Sequence, residues 1–250
     1  MWSLSDGGAS SCAVLRHSAS GPKGKSVTRD VASLDWSRDG ARLATGCYDG
    51  RGRIWSSLAG GGDGALQHVL TGHTQPVLSV QWSPDGASLL TGSVDKTAIV
   101  WDAASGAITQ QFAFHTAPVL DVDWATDEQF AVCSSDKTIT LCSTQARAPL
   151  RTFAGHKDEV NAIHWSPAKA VLASASDDMT AKLWSPAADK DAGAAATLAG
   201  HKKAVYSVKW APTGEGSANA GKDASLATCV RRRRGARAAR RAAAARHPRP

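Results

Sequence analysis

Long apolar runs, paired cysteines and a leader-like N-terminus are all missing from this sequence of 250 residues. No stretch approaches about 18 consecutive apolar residues, which excludes a membrane-spanning helix. The N-terminal segment MWSLSDGGASSC has neither a basic region nor an apolar core, so we expect no secretory signal. The five cysteines are scattered without a C-x-x-C pair. This favours reduced thiols in an intracellular protein over disulfides or a zinc site.

Aromatic residues other than tryptophan are also scarce, since nine tryptophans stand against two tyrosines and four phenylalanines. The formal net charge of +7 comes from the C-terminus, because residues 231–250 hold nine arginines and no acid. Removing those nine from the 29 basic residues leaves 20 against 22 acidic ones. A uniformly basic nucleic-acid-binding domain is therefore excluded.

A repeat of about forty residues organises the chain. One set of tryptophans recurs at steps of 41 to 46 residues: Trp36, Trp82, Trp124, Trp165 and Trp210. A second set is Trp55, Trp101 and Trp184, with Cys142 in the phase of the missing member. An aspartate lies six positions before each of these: Asp49, Asp95, Asp136 and Asp178. A histidine lies nine positions before four members of the first set: His73, His115, His156 and His201.

Each repeat predicts four short strands and no helix. In residues 72–102, VLSVQW alternates as a strand, SPDG is a turn, ASLLTGS is a second strand, VDKT is a tight turn and AIVWD is a third strand. A weaker fourth strand follows at 107–114. Four strands per unit, with G-H near the start and W-D near the end, are typical of WD40 repeats. We therefore expect an all-β fold, a WD40 β-propeller.

The repeat phase predicts four whole blades and two partial ones within residues 1–229. Residues 1–26 predict the outer strands of one blade followed by a loop, because Met1-Trp2-Ser3 matches Leu183-Trp184-Ser185. Whole blades are predicted at 27–70, 71–114, 115–153 and 154–198, and an incomplete blade at 199–229. A propeller removes its strand edges by closing its ring, so we expect a fragment of a seven- or eight-bladed ring. Alternatively, the two partial blades meet and close a smaller ring.

Residues 230–250 form an Arg- and Ala-rich tail that interrupts the last predicted strand. One interpretation is a nuclear-localisation or nucleic-acid-binding tail. The other is the product of a shifted frame or a read-through intron, since Ala, Arg, Gly and Pro all have GC-rich codons. A genuine tail would be disordered or partly helical, because it has no large apolar stripe.

Residues that resemble a catalytic triad recur in the blades. The complete sets are His73, Thr91, Asp95 and Trp101, and His156, Ser174, Asp178 and Trp184. An enzyme needs one site and not a copy in each blade, which argues against a catalytic triad. The resemblance to WD40 repeats implies that these groups form structural hydrogen-bond chains running from Trp through Ser/Thr and His to Asp. Val27 replaces the histidine of one blade, and Val132 and Cys142 replace the hydroxyl and tryptophan of another. We predict that these two blades depend more on apolar packing.

Motifs for nucleotide binding, zinc proteolysis and nucleophile elbows are absent from the sequence. The blade histidines lie one per blade, too far apart to share a metal ion. We therefore predict no enzyme activity, no cofactor, no metal and no small-molecule substrate. Nucleic acid is expected as a partner only if the Arg-rich tail is genuine.

Four strings carry a more specific resemblance: residues 30–55, 106–124 (with FH in place of GH), 155–167 and 176–185. In this order and spacing they resemble the WD-repeat half of the transducin beta-like 1 (F-box-like/WD repeat-containing) corepressor family, which also includes plant histone-deacetylase-complex proteins. The resemblance covers roughly residues 1–229, and the absent tryptophan at Cys142 fits it.

The resemblance implies a nuclear scaffold that joins corepressor and histone-deacetylase subunits, contacts histone tails and helps to exchange corepressors through the ubiquitin–proteasome system. It also implies upstream LisH and F-box-like segments, neither of which occurs in these residues. Three alternatives stay open: a substrate receptor of a ubiquitin ligase, a nucleic-acid binder acting through the basic tail, and a non-functional fragment of a truncated or wrongly assembled gene.

Partners of WD40 rings bind where the inter-blade loops and the turns between second and third strands converge. We transfer these positions to the chain by the phase of its repeats. The binding face is then defined as Asp30, Tyr48, Pro76, Leu78, Val94, Pro118, Leu120, Glu159, Asn161, Asp177 and Tyr206, with Ser135 in the same phase. Its apolar sector lies beside a polar and acidic sector. That combination suits a basic peptide with an apolar anchor, such as a histone tail. The alternative is a solvated rim of ordinary loops.

Overall fold

The computed structural model describes residues 2–5, 8–12, 15, 17, 30–57, 64–168, 170–188, 193–212 and 225–230. All regular secondary structure in these ranges is β-strand. Within the same ranges, no helix has the length and apolar character needed to cross a membrane. The predicted tail at 230–250 was wrong at its first residue, because Val230 belongs to the strand Leu226–Val230. Residues 231–250 and the substitution at Val27 lie outside the described residues.

Twenty strands follow one another along the described chain. They are β1 (Trp2–Ser5), β2 (Gly8–Cys12), β3 (Val31–Trp36), β4 (Arg42–Cys47), β5 (Arg51–Ser56), β6 (Leu66–Thr71), β7 (Val77–Trp82), β8 (Ser88–Ser93), β9 (Ala98–Asp102), β10 (Ile108–Phe112), β11 (Val119–Trp124), β12 (Gln129–Ser134), β13 (Thr138–Ser143), β14 (Arg151–Ala154), β15 (Val160–Trp165), β16 (Leu172–Ser176), β17 (Thr180–Trp184), β18 (Ala196–Ala199), β19 (Val205–Trp210) and β20 (Leu226–Val230).

These strands form four antiparallel four-stranded sheets in which neighbours in sequence are neighbours in space: β3–β6, β7–β10, β11–β14 and β15–β18. The all-β fold class is confirmed. Three of the sheets end one residue beyond the predicted blade boundaries, at Thr71, Ala154 and Ala199. Within the described residues, β1–β2 and β19–β20 are two separate two-stranded sheets. The alternative in which the two partial blades combine into one sheet is therefore not what the structure shows.

The sheets are arranged side by side as blades of a β-propeller, with their first strands innermost. β3 contacts β7, β7 contacts β11, β11 contacts β15, and β15 contacts β19. Glycines allow the close approach between successive sheets. A Cβ atom at Gly46 would lie 2.8 Å from a methyl carbon of Val80, and one at Gly92 would lie 2.6 Å from a methyl carbon of Val119. Larger side chains at these two positions would force the blades apart.

Successive blades are also joined by tryptophan links near the central axis. The last residue of each inner strand is a tryptophan, and in β3, β7, β11 and β15 a residue with an acceptor side chain precedes it. In each link, the backbone N–H of the tryptophan donates to the acceptor side chain of the previous blade, as Trp82 does to Asp35. The indole N–H donates to the backbone carbonyl of that same residue. The backbone N–H distances are 2.6–3.1 Å in four pairs: Trp82 with Asp35, Trp124 with Gln81, Trp165 with Asp123, and Trp210 with His164.

Candidate functional site

A continuous hydrogen-bond chain crosses the β7–β10 blade. The indole N–H of Trp101 donates to Thr91 Oγ1 at 2.8 Å, and Thr91 Oγ1 lies 2.8 Å from His73 Nε2. His73 Nδ1 lies 2.9 Å from Asp95 Oδ2. Burial lowers the pKa of His73 and outweighs the opposing charge of Asp95. A neutral imidazole that donates from Nδ1 and accepts at Nε2 satisfies every group in the chain.

The β15–β18 blade repeats this geometry. Trp184 Nε1 lies 2.8 Å from Ser174 Oγ, which lies 2.7 Å from His156 Nε2. His156 Nδ1 lies 2.7 Å from Asp178 Oδ2. Burial alone would raise the pKa of Asp178, but hydrogen bonds from Thr180, the Lys157 backbone and His156 hold it below its ordinary range. The eight residues that the sequence groups into two sets are thus brought together as two hydrogen-bond chains, one in each blade.

In the β11–β14 blade the chain is cut at its middle. His115 Nδ1 lies 2.9 Å from Asp136 Oδ2, as in the other blades. Its Nε2 is buried and, among the described residues, has no hydrogen-bond partner. The cause is Val132, which pairs with Val122 at the register position where Thr91 pairs with Val80. Cys142 packs into an apolar cluster there, and burial raises its pKa to about 12.

The blade formed by β3–β6 uses a different polar pair. Trp55 still donates to Thr45 Oγ1 at 3.0 Å, but Asp49 is bound by the buried Arg53 at 2.6 Å. His17 lies against Trp55, with ring centroids 5.2 Å apart. Sequence reasoning placed Val27 in the histidine phase of this blade and overlooked His17, because His17 precedes Trp36 by 19 positions and the histidines of the other blades precede their tryptophans by nine. An arginine four positions after the turn aspartate was the available signal for the ion pair.

The binding face defined from the sequence has a shared backbone feature. In four blades, a backbone hydrogen bond joins two positions of the binding face. The residue before the turn aspartate donates its N–H to the carbonyl of a residue in the inter-blade loop. The distances are 2.9–3.0 Å for Tyr48 to Asp30, Val94 to Pro76, Ser135 to Pro118, and Asp177 to Glu159. The structure therefore brings these loop and turn positions together in pairs, one pair per blade.

The apolar sector of the binding face is half-buried. This applies to Pro76, Leu78, Val94, Pro118 and Leu120. Leu120 packs against the apolar core shared by the β11–β14 and β15–β18 blades, so part of its surface serves the fold. Half-buried apolar side chains that are held by packing offer a preformed surface for an apolar side chain of a partner.

The acidic sector is held by side-chain hydrogen bonds. Asn161 Nδ2 donates to Asp177 Oδ1 at 2.6 Å and to the Val205 carbonyl at 2.9 Å. Ser135 Oγ donates to the exposed Glu159 at 3.2 Å, which connects this sector to the neighbouring blade. Tyr206 follows Val205 and is 41% exposed.

Two lysines share this region of the binding face. The exposed Lys157 lies in the same inter-blade loop as Glu159, and the Lys137 ammonium donates to the Lys157 carbonyl at 3.0 Å. The sequence-based description of the sector as acidic had not included them. The carboxylates are therefore set beside positive charge, which restricts the ligand positions that they favour.

A polar cavity of about 140 Å³ opens along the central axis and is lined by Asp35, Asp121, Asp123 and Lys209, among others. Asp121 spans three blades, because its Oδ1 accepts the Ser79 hydroxyl at 2.8 Å and its Oδ2 accepts the Ile163 N–H at 3.1 Å. Burial raises the pKa of Asp121 to about 6. Asp121 is half-buried and lines this cavity.

Comparison with known proteins agrees with this architecture. The family model for the WD domain, G-beta repeat, matches residues 18–56, 64–102, 106–143, 147–185 and 194–229. The chain belongs to the WD40 family. A solved WD40 structure, the C-terminal domain of Sif2, superposes with a TM-score of 0.63 and 28% identity, over 72% of this chain and 49% of that one. The WD40 β-propeller predicted from the repeats is confirmed.

Two relatives confirm the more specific resemblance of these WD40 repeats. F-box-like/WD repeat-containing protein TBL1X of Mus musculus is 43% identical over 175 residues, which is 69% of this chain and 32% of that protein. WD40 repeat-containing protein HOS15 of Arabidopsis thaliana is 45% identical over 174 residues, which is 69% of this chain and 27% of that protein. The chain spans about a third of the length of these relatives. It has the WD-repeat architecture of protein-interaction scaffolds, which are typically non-enzymatic and take protein partners.

Proposed function

We propose that the chain is an interaction scaffold of the transcriptional corepressor and histone-deacetylase-complex type, which binds basic, histone-like peptides on its binding face in the nucleus. The observation that carries this proposal is the fixed pair of Glu159 and Asp177, joined by the backbone hydrogen bond between them. Two carboxylates on adjoining positions of one loop face, Glu159 held by Ser135 and Asp177 held by Asn161, attract a lysine or arginine side chain.

The surroundings of this pair support a basic ligand. Asn161 orients the Asp177 carboxylate and is tied to the next blade through the Val205 carbonyl. Tyr206 follows Val205 in the sequence, and its exposed ring can bind a cation through a cation–π interaction. The Ser135 bond to Glu159 places the pair next to the half-buried Pro118, which supplies the apolar anchor.

The assignment to a corepressor class draws on the resemblance to the transducin beta-like 1 family. Similarity to TBL1X and HOS15 over 69% of the chain supports that class. Corepressor and deacetylase subunits are accordingly the protein partners that we propose, and the nucleus is the proposed location.

The test is a titration of the full chain with a fluorescein-labelled peptide that copies a histone N-terminal tail, read by fluorescence anisotropy at moderate salt. We expect Glu159→Lys to weaken binding roughly tenfold, because it reverses a charge at the binding face. Glu128→Lys is the matched control, since Glu128 is exposed in the turn between β11 and β12 at the opposite end of the blade. Asp177→Asn tests the second carboxylate with a side chain that still accepts the Asn161 bond.

Two results would contradict the proposal. One is unchanged affinity of the Glu159→Lys variant at moderate salt. The other is an equal loss with Glu128→Lys, which would indicate attraction by net charge and not by this face. The same peptide with all lysines acetylated should bind more weakly to the wild-type chain, because the charge that the carboxylates select has been removed.

A further inference from the structure

The tight turn between β12 and β13 meets the loop before β15 at two points of opposite charge. At one point, Ser135 Oγ donates to the Glu159 carboxylate at 3.2 Å. At the other, the Lys137 ammonium donates to the Lys157 carbonyl at 3.0 Å. Lys137 forms no ion pair with Glu159 in the described part of the chain. The binding face therefore has two separate charges of opposite sign at this edge.

The positive charge of Lys137 is not required by the turn in which it lies. Lys137 has a positive φ of 74°, and its backbone N–H donates to the Ser134 carbonyl at 3.2 Å. In the other three four-stranded blades the same position, with positive φ and the same backbone bond, is occupied by Gly50, Lys96 and Met179. Glycine and methionine carry no charge, so this turn forms without a cation. What the lysine adds is an exposed ammonium beside the acidic sector.

This ammonium keeps donors for a ligand. A lysine ammonium has three N–H donors and no acceptor, and the Lys157 carbonyl takes one of the three from Lys137. Both lysines are exposed. A charged donor of this kind forms its strongest hydrogen bonds with carboxylate or phosphate oxygens. A peptide with basic residues only would leave the ammonium unused and would be repelled by it.

We propose that the binding face takes a peptide of mixed charge, with a basic side chain at Glu159 and an acidic or phosphorylated side chain at Lys137. The two peptide residues are separated by one residue of an extended segment. Side chains at such positions lie on one face of the segment, about 7 Å from each other. The contact points on the protein are spaced in the same way, since one residue separates Ser135 from Lys137 along the turn. This inference rests on the proposed function, because Glu159 supplies the first of the two contacts.

The β7–β10 blade supplies a matched comparison within the chain. Lys96 has the turn position of Lys137, a φ of 73° and the same backbone bond. In the loop of the following blade, however, Pro118 takes the position that Glu159 occupies beside Lys137. A substitution at Lys96 thus makes the same change in net charge and in the turn, and it leaves the paired charges intact.

The experiment measures the affinity of fluorescein-labelled, lysine-containing peptides for the full chain by fluorescence anisotropy. The parent peptide has a serine two positions before and another two positions after its central lysine, and each of two derivatives carries a phosphate on one of these serines. We expect one derivative to bind the wild-type chain about fivefold more tightly than the parent, because its phosphate accepts a charge-assisted hydrogen bond from Lys137. Lys137→Gln should abolish this gain, and Lys96→Gln should retain it. Urea unfolding with the wild-type midpoint confirms that both variants are folded.

Glu159→Lys, titrated with the parent peptide, separates this inference from the proposed function. If that variant weakens binding of the parent and neither phosphate improves binding to the wild-type chain, the peptide site stands and the mixed-charge inference is overturned. If Glu159→Lys leaves the affinity of the parent unchanged, the proposed function fails and this inference fails with it. A gain that persists in Lys137→Gln, or that is lost equally in Lys96→Gln, would overturn the inference as well.

Discussion

Replacing Asp121 with asparagine is expected to stabilise the protein at neutral pH. The pKa of Asp121 is raised from 3.8 to about 6 by burial, so ionising it costs more in the folded chain than in the unfolded one. A raised pKa means that the stabilising effect of the neutral acid is complete below about pH 4 and is lost as the pH rises through about 6. A shift of about two pH units corresponds to ~3 kcal/mol at pH 7.

Asparagine imitates the protonated acid at this position. Its oxygen can accept the Ile163 N–H, and its amide can donate to Ser79, whose hydroxyl is free to rotate. The Val122 N–H, which donates to Asp121 Oδ1 at 3.0 Å, loses its acceptor in this arrangement, and that loss offsets part of the gain. We therefore expect the Asp121→Asn variant to be more stable than wild type by up to ~3 kcal/mol at pH 7 and by little at pH 4. The opening of Asp121 into the central cavity makes this figure an upper value, because solvent there reduces the cost of ionisation.

Urea denaturation between pH 4 and pH 8 measures this difference. The comparison is made between variant and wild type at each pH, because Asp95 and Asp178 have lowered pKa values and lose their own stabilising effect on acidification. Asp127→Asn, at an exposed turn, is the control. A stability difference that is constant across the range, or a destabilised Asp121→Asn variant at pH 7, would refute the reasoning.

Two further predictions concern the hydrogen-bond chains. His156→Ala should lower the free energy of unfolding by ~1–3 kcal/mol, and His115→Ala by ~1 kcal/mol less, because His115 Nε2 has no hydrogen-bond partner in the described part of the chain. Equal losses in urea denaturation would count against the assignment. Val132→Thr should be neutral or stabilising by up to ~1 kcal/mol, since its hydroxyl can donate to His115 Nε2. Val100→Thr places a hydroxyl in an apolar cluster and should lower the free energy of unfolding by ~1–3 kcal/mol. A similar loss of stability for Val132→Thr would argue against a hydrogen bond to His115 Nε2.

The sequence predicted the parts of the fold that repeat with the same residue type. Tryptophan, histidine and aspartate hold one phase through the blades, so spacing grouped the residues of the His73 and His156 chains, and the resemblance to WD40 repeats supplied their connection. The tryptophan links were missed because Asp35, Gln81 and His164 differ in type and share only the ability to accept a hydrogen bond. Their signal was a polar residue before each recurring tryptophan on an otherwise buried strand.

The candidate site was less accessible to sequence reasoning. The phase chose loop and turn positions that the structure joins in pairs, such as Glu159 with Asp177. It could not show that Leu120 packs against the neighbouring core or that Lys137 reaches the Lys157 carbonyl. Such contacts depend on where long side chains settle after the blades have assembled, which residue spacing does not encode.

The tryptophan links give the arc of blades a direction. Each link runs from the tryptophan of one blade back to an acceptor on the blade before it, so a blade gains a partner on both sides only when it lies within the series. The array then behaves as a one-dimensional zipper in which opening begins at an end and is opposed at every step by the next link. The β7–β10, β11–β14 and β15–β18 blades each have a link on both sides, so we expect them to be the most persistent part of the array.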